Sequence, residues 1–215
     1  MTVVMIAHNE EERGLTRLLR DVLPSLWLLR PVLDAELVVI DNSEARLDRL
    51  ADAVLHTGAI SASYRWNEGK NLMYGPSMNA AISMSTKPLL LYACAAHGQM
   101  HDPTWAWDLL QPLVEDPTGK VAMCGSLAES GAPSNMGFPD SLEWVHVQGG
   151  LFAARTEVLR VYPYPESDYA HWGSDVFQGF QLTEAGYRLV DVPTIRSVWR
   201  ASVEETRWKY VHQGG

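Results

Sequence analysis

Short runs of aliphatic and β-branched residues alternate along the chain with stretches where apolar residues recur every three or four positions. The runs cover residues 3–7, 36–40 with Asp41 at the end, 89–93, 120–123, 145–153 and 188–192. Their lengths and composition predict strands. Helical spacing predicts a first helix over residues 10–29, with Leu15, Leu18, Leu19, Val22 and Leu26 on one face. A second helix carries Leu47, Leu50, Ala51 and Val54, and others cover residues 77–85, 105–114 and 175–185. Gly186 stands where a helix C-terminus favours glycine. Strand and helix in alternation predict an α/β domain with a mostly parallel mixed sheet flanked by helices. Residues 126–142, rich in Gly, Pro, Ser and Asn, read as a loop or a lid over the domain.

Two strand ends carry polar clusters. The first leads into His8, Asn9 and Glu10, the second into Asp41, Asn42 and Ser43, and a helix follows each. In open α/β sheets, ligands bind outside the carboxyl ends of the strands, where helix N-termini offer free N–H groups to anions. Neither glycine-rich nucleotide fingerprint, G-x-G-x-x-G or G-x-x-x-x-G-K-[ST], is present.

Composition narrows the classes. The 215 residues carry 17 Lys and Arg against 26 Asp and Glu, a net charge of −9 that disfavours long nucleic acid as the partner. Cys94 and Cys124, 30 residues apart, match neither metal-ligand spacing nor a disulfide framework and read as two buried free thiols. The apolar start at residues 2–6 turns polar at once, too short for a secretory h-region or a membrane span. The expectation is a soluble, cytoplasmic protein without a transmembrane segment.

Six segments in order resemble GT-A-fold glycosyltransferases of the family-2 type: VVMIAHNEEE, ELVVIDNSE, NEGKNLMYGPSMNAAI, PLLLYACAAHGQMHDPTW, VQGGLFAARTEVL and HWGSDVFQGFQLTEAGYRLVDVP. The resemblance implies the nucleotide-diphospho-sugar transferase fold, a single Rossmann-like domain over residues 1–200. Its donor half would run to about residue 104, its acceptor half over 105–200, and a C-terminal tail over 201–215. Carried over position by position, it implies a donor site of Ala7, His8, Asn9, Glu10, Asp41, Asn42, Ser43, Arg65, Asn67, Gly69 and Asn79. It implies an acceptor site at Gly149, Gly150, His171 and Trp172. Asp175 would be the catalytic base that takes the proton of the acceptor hydroxyl, a role suited to a positioned carboxylate.

The departures bear on the metal. The Asp-x-Asp motif of the family falls on Ala95, Ala96 and His97, and the late metal-binding histidine falls on Arg200. Mn²⁺ and Mg²⁺ prefer oxygen ligands, so a divalent metal held by His97 has an incomplete ligand set. The alternative is no metal, with Arg200 and His97 neutralising the diphosphate directly, as arginine can by bidentate contact, and Ala96 beside them in the donor site. The expected activity is inverting transfer from a UDP- or GDP-type nucleotide-sugar donor to an acceptor hydroxyl on a glycan, protein or small molecule. Its alternative is a catalytically inactive GT-A-like nucleotide-sugar-binding module. Plainer readings stand beside the sharp ones: His8 as a surface loop residue, Asp41 as a helix cap, and Asp175 as a first-turn acid favoured by the helix dipole.

Overall fold

β1 (Thr2–Ala7) and β2 (Glu36–Asp41) are buried along nearly their whole lengths, which is why both read as unbroken apolar runs. The computed structural model describes residues 1–9, 11–29, 34–58, 61–94, 104–131, 143–166 and 173–194. Within them β3 (Ser61–Trp66), β4 (Leu89–Ala93), β5 (Val121–Gly131), β6 (Glu143–Arg155) and β7 (Arg188–Asp191) complete one seven-stranded sheet in the order β3-β2-β1-β4-β6-β5-β7. β6 alone among these strands runs against the others, pairing antiparallel with both β4 and β5. The predicted α/β class and mostly parallel mixed sheet are what is observed.

Alternate residues of each strand feed opposite faces, as the two-residue strand period requires. Val3, Met5, Leu37, Val39 and Leu91 pack under α1 (Glu11–Thr16), α2 (Leu23–Leu29), α3 (Asp48–Leu55) and α5 (Trp105–Val114). Val4, Val38, Ile40, Leu90, Tyr92 and Phe152 pack under α4 (Tyr74–Met84), α6 (Thr156–Val161) and α7 (Ser174–Glu184). The result is helices on both sides of a central sheet, with the crevice between the carboxyl ends of β1 and β4 at the switch in strand order.

Several expectations change. The first helix is not uniform: a π-helical segment, Arg17–Val22, joins α1 to α2. Leu15, Leu18, Val22 and Leu26 are buried as predicted, but Leu19 is 56% exposed. The wider π turn instead brings Arg17 and Asp21 inward as an ion pair of 2.7 Å with side chains only 4% and 0% exposed. β3 escaped the pattern because it is an edge strand whose residues alternate between exposed and half-buried, never fully buried. Residues 126–131, expected in a loop, belong to β5 and pair with β6 from Leu127↔Val147 to Gly131↔Glu143. The small and polar residues of this stretch carry no apolar signal, and backbone pairing holds it in the sheet. The rest of the expected loop, 132–142, lies outside the described residues. The six-residue α6 was not predicted. Of the two cysteines, Cys124 is buried and its thiol is pushed up to about 12 by burial, while Cys94 is only half-buried, just beyond the end of β4. Gly186 adopts φ 79° and ends α7 as expected, with Tyr187 N–H returning to the Leu182 carbonyl.

Candidate active site

The loops that leave β1, β2 and β3 are tied to one another by side chains. Asn9, in the left-handed region at φ 51°, donates its N–H to Ser43 Oγ (2.7 Å), and its side-chain carbonyl accepts from Glu44 N–H (3.1 Å). Asn67 donates from Nδ2 to Asn42 Oδ1 (2.7 Å), and Asn42 in turn donates to Ser77 Oγ on α4 (2.7 Å). Trp66 Nε1 donates to the Ser43 carbonyl (3.0 Å). Residues 67–70 form a tight turn, with Lys70 N–H bonded to the Asn67 carbonyl (3.0 Å) and positive φ at Glu68 (53°) and Gly69 (79°). A Cβ on Gly69 would come within 3.2 Å of the Glu44 carbonyl oxygen, so the turn closes on the β2 loop only because that residue is glycine.

Asp41 is fully buried. Its carboxylate accepts from the N–H groups of Ser43 (2.9 Å) and Leu47 (3.1 Å) and from the Tyr64 hydroxyl (2.5 Å). Burial first, then the bond to Asp41, drives the Tyr64 phenol far above its ordinary value, so it stays a donor. Asp41 therefore organises the loop after β2, whereas the N-cap position of α3 is Leu47, which has no side-chain cap bond. Ala7, Asn42, Ser43 and Asn67 are likewise buried. His8, Asn9, Arg65 and Gly69 remain exposed around them, with Arg65 Nε held by Asn67 Oδ1 (3.0 Å). Asn79 serves a different purpose. Its amide clamps α4 to the segment after α6 through Tyr164 N–H and carbonyl (2.9 Å each) and Glu166 (2.9 Å).

The second half of the site gathers on β6 and α7. Asp175 stands in the first turn of α7, after Gly173 at φ 78°. Its Oδ2 accepts from Gly149 N–H (3.1 Å) and its Oδ1 from Val176 N–H (3.0 Å), with the side chain 28% exposed. Gly150 offers its carbonyl to Cys94 N–H (2.9 Å), which brings the β6 glycines to the end of β4 and so to the switch-point crevice. His146, buried on β6, has Nε2 4.0 Å from Asp175 Oδ2. Sequence reasoning passed over His146, and also Gly179, whose missing Cβ would lie 2.7 Å from the Val145 carbonyl and 2.8 Å from His146 Cβ. Glu10, Ala96, His97, His171, Trp172 and Arg200 lie outside the described residues.

The fold of this chain matches solved structures. A mannosyltransferase of Pyrobaculum calidifontis, solved with GDP-Man and Mn²⁺, aligns at a TM-score of 0.63 and 18% identity over 90% of this chain and 55% of its own. The fold is that of GT-A glycosyltransferases. The glucosyl-3-phosphoglycerate synthase of Mycobacterium tuberculosis, solved with Mn²⁺, UDP-Glc and phosphoglyceric acid, aligns at a TM-score of 0.56 and 17% identity over 89% of this chain and 69% of its own. The same synthase with Mg²⁺ and UDP gives 0.59 at 16% identity. The chain thus spans just over half of the mannosyltransferase and about two thirds of the synthase. No family model matches the sequence, and no curated protein does.

Among the described residues, no cluster of three or more His, Cys, Asp or Glu side chains could hold a metal ion. No described helix is long and apolar enough to cross a membrane.

Proposed function

We propose that this GT-A domain transfers a sugar from a UDP- or GDP-type nucleotide-sugar donor to an acceptor hydroxyl, with inversion and with Asp175 as general base. One observation carries the reading. The Asp175 carboxylate is partly exposed, fixed by two backbone N–H groups, and set over the β6 glycines that join the end of β4. A carboxylate oxygen so fixed can accept the acceptor proton as the hydroxyl attacks the anomeric carbon, and fixing the base beforehand removes an orientational cost. The solved neighbours bind GDP-Man and UDP-Glc, which supports a donor of that class.

In this reading His8, Asn9, Arg65 and Gly69 meet the nucleoside. Asp41, Asn42, Ser43 and Asn67 act one step back, by holding the loops in shape, and Asn79 acts as a clamp. The residues aligned with the metal motif supply one imidazole, His97, and no carboxylate. That donor set fits Mn²⁺ or Mg²⁺ poorly. His97 and Arg200 are assigned to the diphosphate. The same missing carboxylates favour the second reading, a nucleotide-sugar-binding module without turnover.

Calorimetry with UDP and GDP, with and without Mn²⁺ and EDTA, tests both. The expected result is binding of one nucleotide that EDTA leaves unchanged, and no binding of either would sink the proposal. Asp175→Asn is expected to lower donor turnover by at least about 10²-fold, the scale of a lost general base, while leaving nucleotide affinity within about twofold. Retained turnover would remove Asp175 from the role. Binding without any turnover in the unaltered protein would establish the module reading.

A further inference from the structure

Tyr74, the first residue of α4, stands directly after Met73, whose φ of 66° is a conformation that a long side chain rarely adopts. The turn is held by Met73 N–H bonded to Asn71 Oδ1 (2.9 Å). Strain of this kind persists only where the surroundings over-determine it, and it clusters at functional sites. What it achieves here is the direction of one side chain. The Tyr74 ring packs edge to face against Tyr92 (5.8 Å) and Tyr164 (5.5 Å), and its hydroxyl ends above Gly149.

That hydroxyl is buried beside the Tyr164 hydroxyl, and the contact between the two phenols falls short of hydrogen-bond geometry, so neither is satisfied. A buried hydroxyl left unpaired costs stability, and native proteins rarely keep one without a use for it. A carboxylate that borders the same space identifies the use. A Cβ placed on Gly149 would lie 3.1 Å from Tyr74 Oη and 3.3 Å from Asp175 Oδ2, so both oxygens border the space that the glycine leaves open. Any side chain at residue 149 would fill the space between them. Burial, the Tyr164 and Tyr92 phenols and the Asp175 charge hold the Tyr74 phenol well above its ordinary value, so it carries its proton throughout the working range and can only donate to a carboxylate.

We infer that Tyr74 is a positioning residue for Asp175, its hydroxyl donating to Oδ2 when the crevice is filled and fixing the carboxylate, with Gly149 N–H, in the orientation that accepts the proton. This deepens the transferase reading and rests on it. It also assigns a purpose to Gly149 beyond the close approach of substrate: the glycine keeps the path between the two oxygens clear. The titratable groups facing Asp175 among the described residues are His146 from β6, Tyr74 from α4 and Tyr164 from the segment after α6. Both phenols are raised above their ordinary value and so uncharged near neutrality, and of the two it is the Tyr74 hydroxyl that borders Gly149 beside Asp175.

Tyr74→Phe removes the hydroxyl and little else. The test compares it with the unaltered protein in three measurements: UDP and GDP affinity by calorimetry, urea unfolding, and turnover of UDP-glucose and GDP-mannose across pH. The expected pattern is nucleotide affinity within about twofold and stability unchanged or raised, because an unpaired buried hydroxyl is lost. With it, kcat should fall about 10- to 100-fold at a donor KM within about twofold, the scale of a lost hydrogen bond to a charged group. The acid limb of the pH profile should move up, since a bond to the ionised carboxylate favours that form. Turnover within twofold of the unaltered protein, or a marked loss of stability, would overturn the inference and leave the transferase reading intact. An unaltered protein that neither binds nor turns over either donor would overturn both.

Discussion

At the residue scale the site is a set of side chains spent on one another. Asn42, Ser43, Asn67 and Ser77 form a network of bonds between the β1, β2 and β3 loops and α4, with Asp41 beneath it. Removing Asn67 takes the donor from the buried Asn42 Oδ1, and an unsatisfied buried group costs about 1–3 kcal/mol. Asn67→Ala is therefore expected to lower unfolding free energy in urea by about 1–3 kcal/mol and to weaken nucleotide binding about tenfold or more, although its own amide is too enclosed to contact a ligand. Binding unchanged in calorimetry would show that the loops keep their shape without it. The sequence displayed these residues as polar clusters at strand ends, which marked their place. It could not show that they bond to each other, because the partners lie 25 to 35 positions apart and no periodicity links them. For the same reason Asp41 was legible as a ligand contact or a helix cap, but its bonds to Ser43, Leu47 and Tyr64 across the β2 loop were not.

At the scale of elements, legibility followed burial. β1, β2 and β4 are interior strands covered on both faces, so their runs of Val, Ile and Leu were plain. β3 lies at the sheet edge, where Ala62, Tyr64 and Trp66 alternate with Ser61, Ser63 and Arg65, a pattern too weakly apolar to register. The outer half of β5 is held by its ladder to β6, a contact between segments that local sequence does not encode. The packing of α7 on β6 matters most for chemistry, since it fixes Asp175 over Gly149 and depends on Gly179. Gly179→Ala would press a methyl group into the Val145 carbonyl and the His146 backbone, and overpacking of this kind costs about 1–3 kcal/mol. The expected outcome is a lower melting temperature together with a loss of turnover larger than the loss of nucleotide affinity. Equal losses in both would mean that α7 does not align Asp175 for the proposed role.

Over the whole molecule, two carboxylates outside the crevice set the response to acid. Asp116 is held below its ordinary range by bonds from Thr118 and Val121, with Arg188 nearby. Burial alone would raise Glu36, but the bonds from Thr2 and Thr86 outweigh it and the net direction is down. A carboxylate depressed in the folded state stabilises it fully above the unfolded value near 4 and loses that contribution as pH falls through the folded value. Urea unfolding is therefore expected to show stability level from neutrality to about pH 5, then declining steeply below about pH 4. Asp116→Asn and Glu36→Gln should each flatten that decline; an unchanged slope would place acid sensitivity elsewhere. The acidic balance that argues against nucleic acid is thus partly structural, with these two charges committed to the internal bonds of the fold.

The reversed direction of β6 has one more consequence. β4 stops at Ala93, opposite Leu151, while β6 and β5 go on pairing as far as Glu143 and Gly131. The two strands therefore leave the sheet as a ribbon that stands beyond its carboxyl edge, with Gly149 at its base and His146 on its way up. Such a ribbon works as a ruler. Its spacing of about 3.4 Å per residue sets how high each side chain stands above the crevice, and its two-residue period sets which side it faces. Evolution or design could lengthen it by pairs of residues while the loops beyond β1, β2 and β3 stay as they are, whereas a single inserted residue would turn the rest of the ribbon inside out.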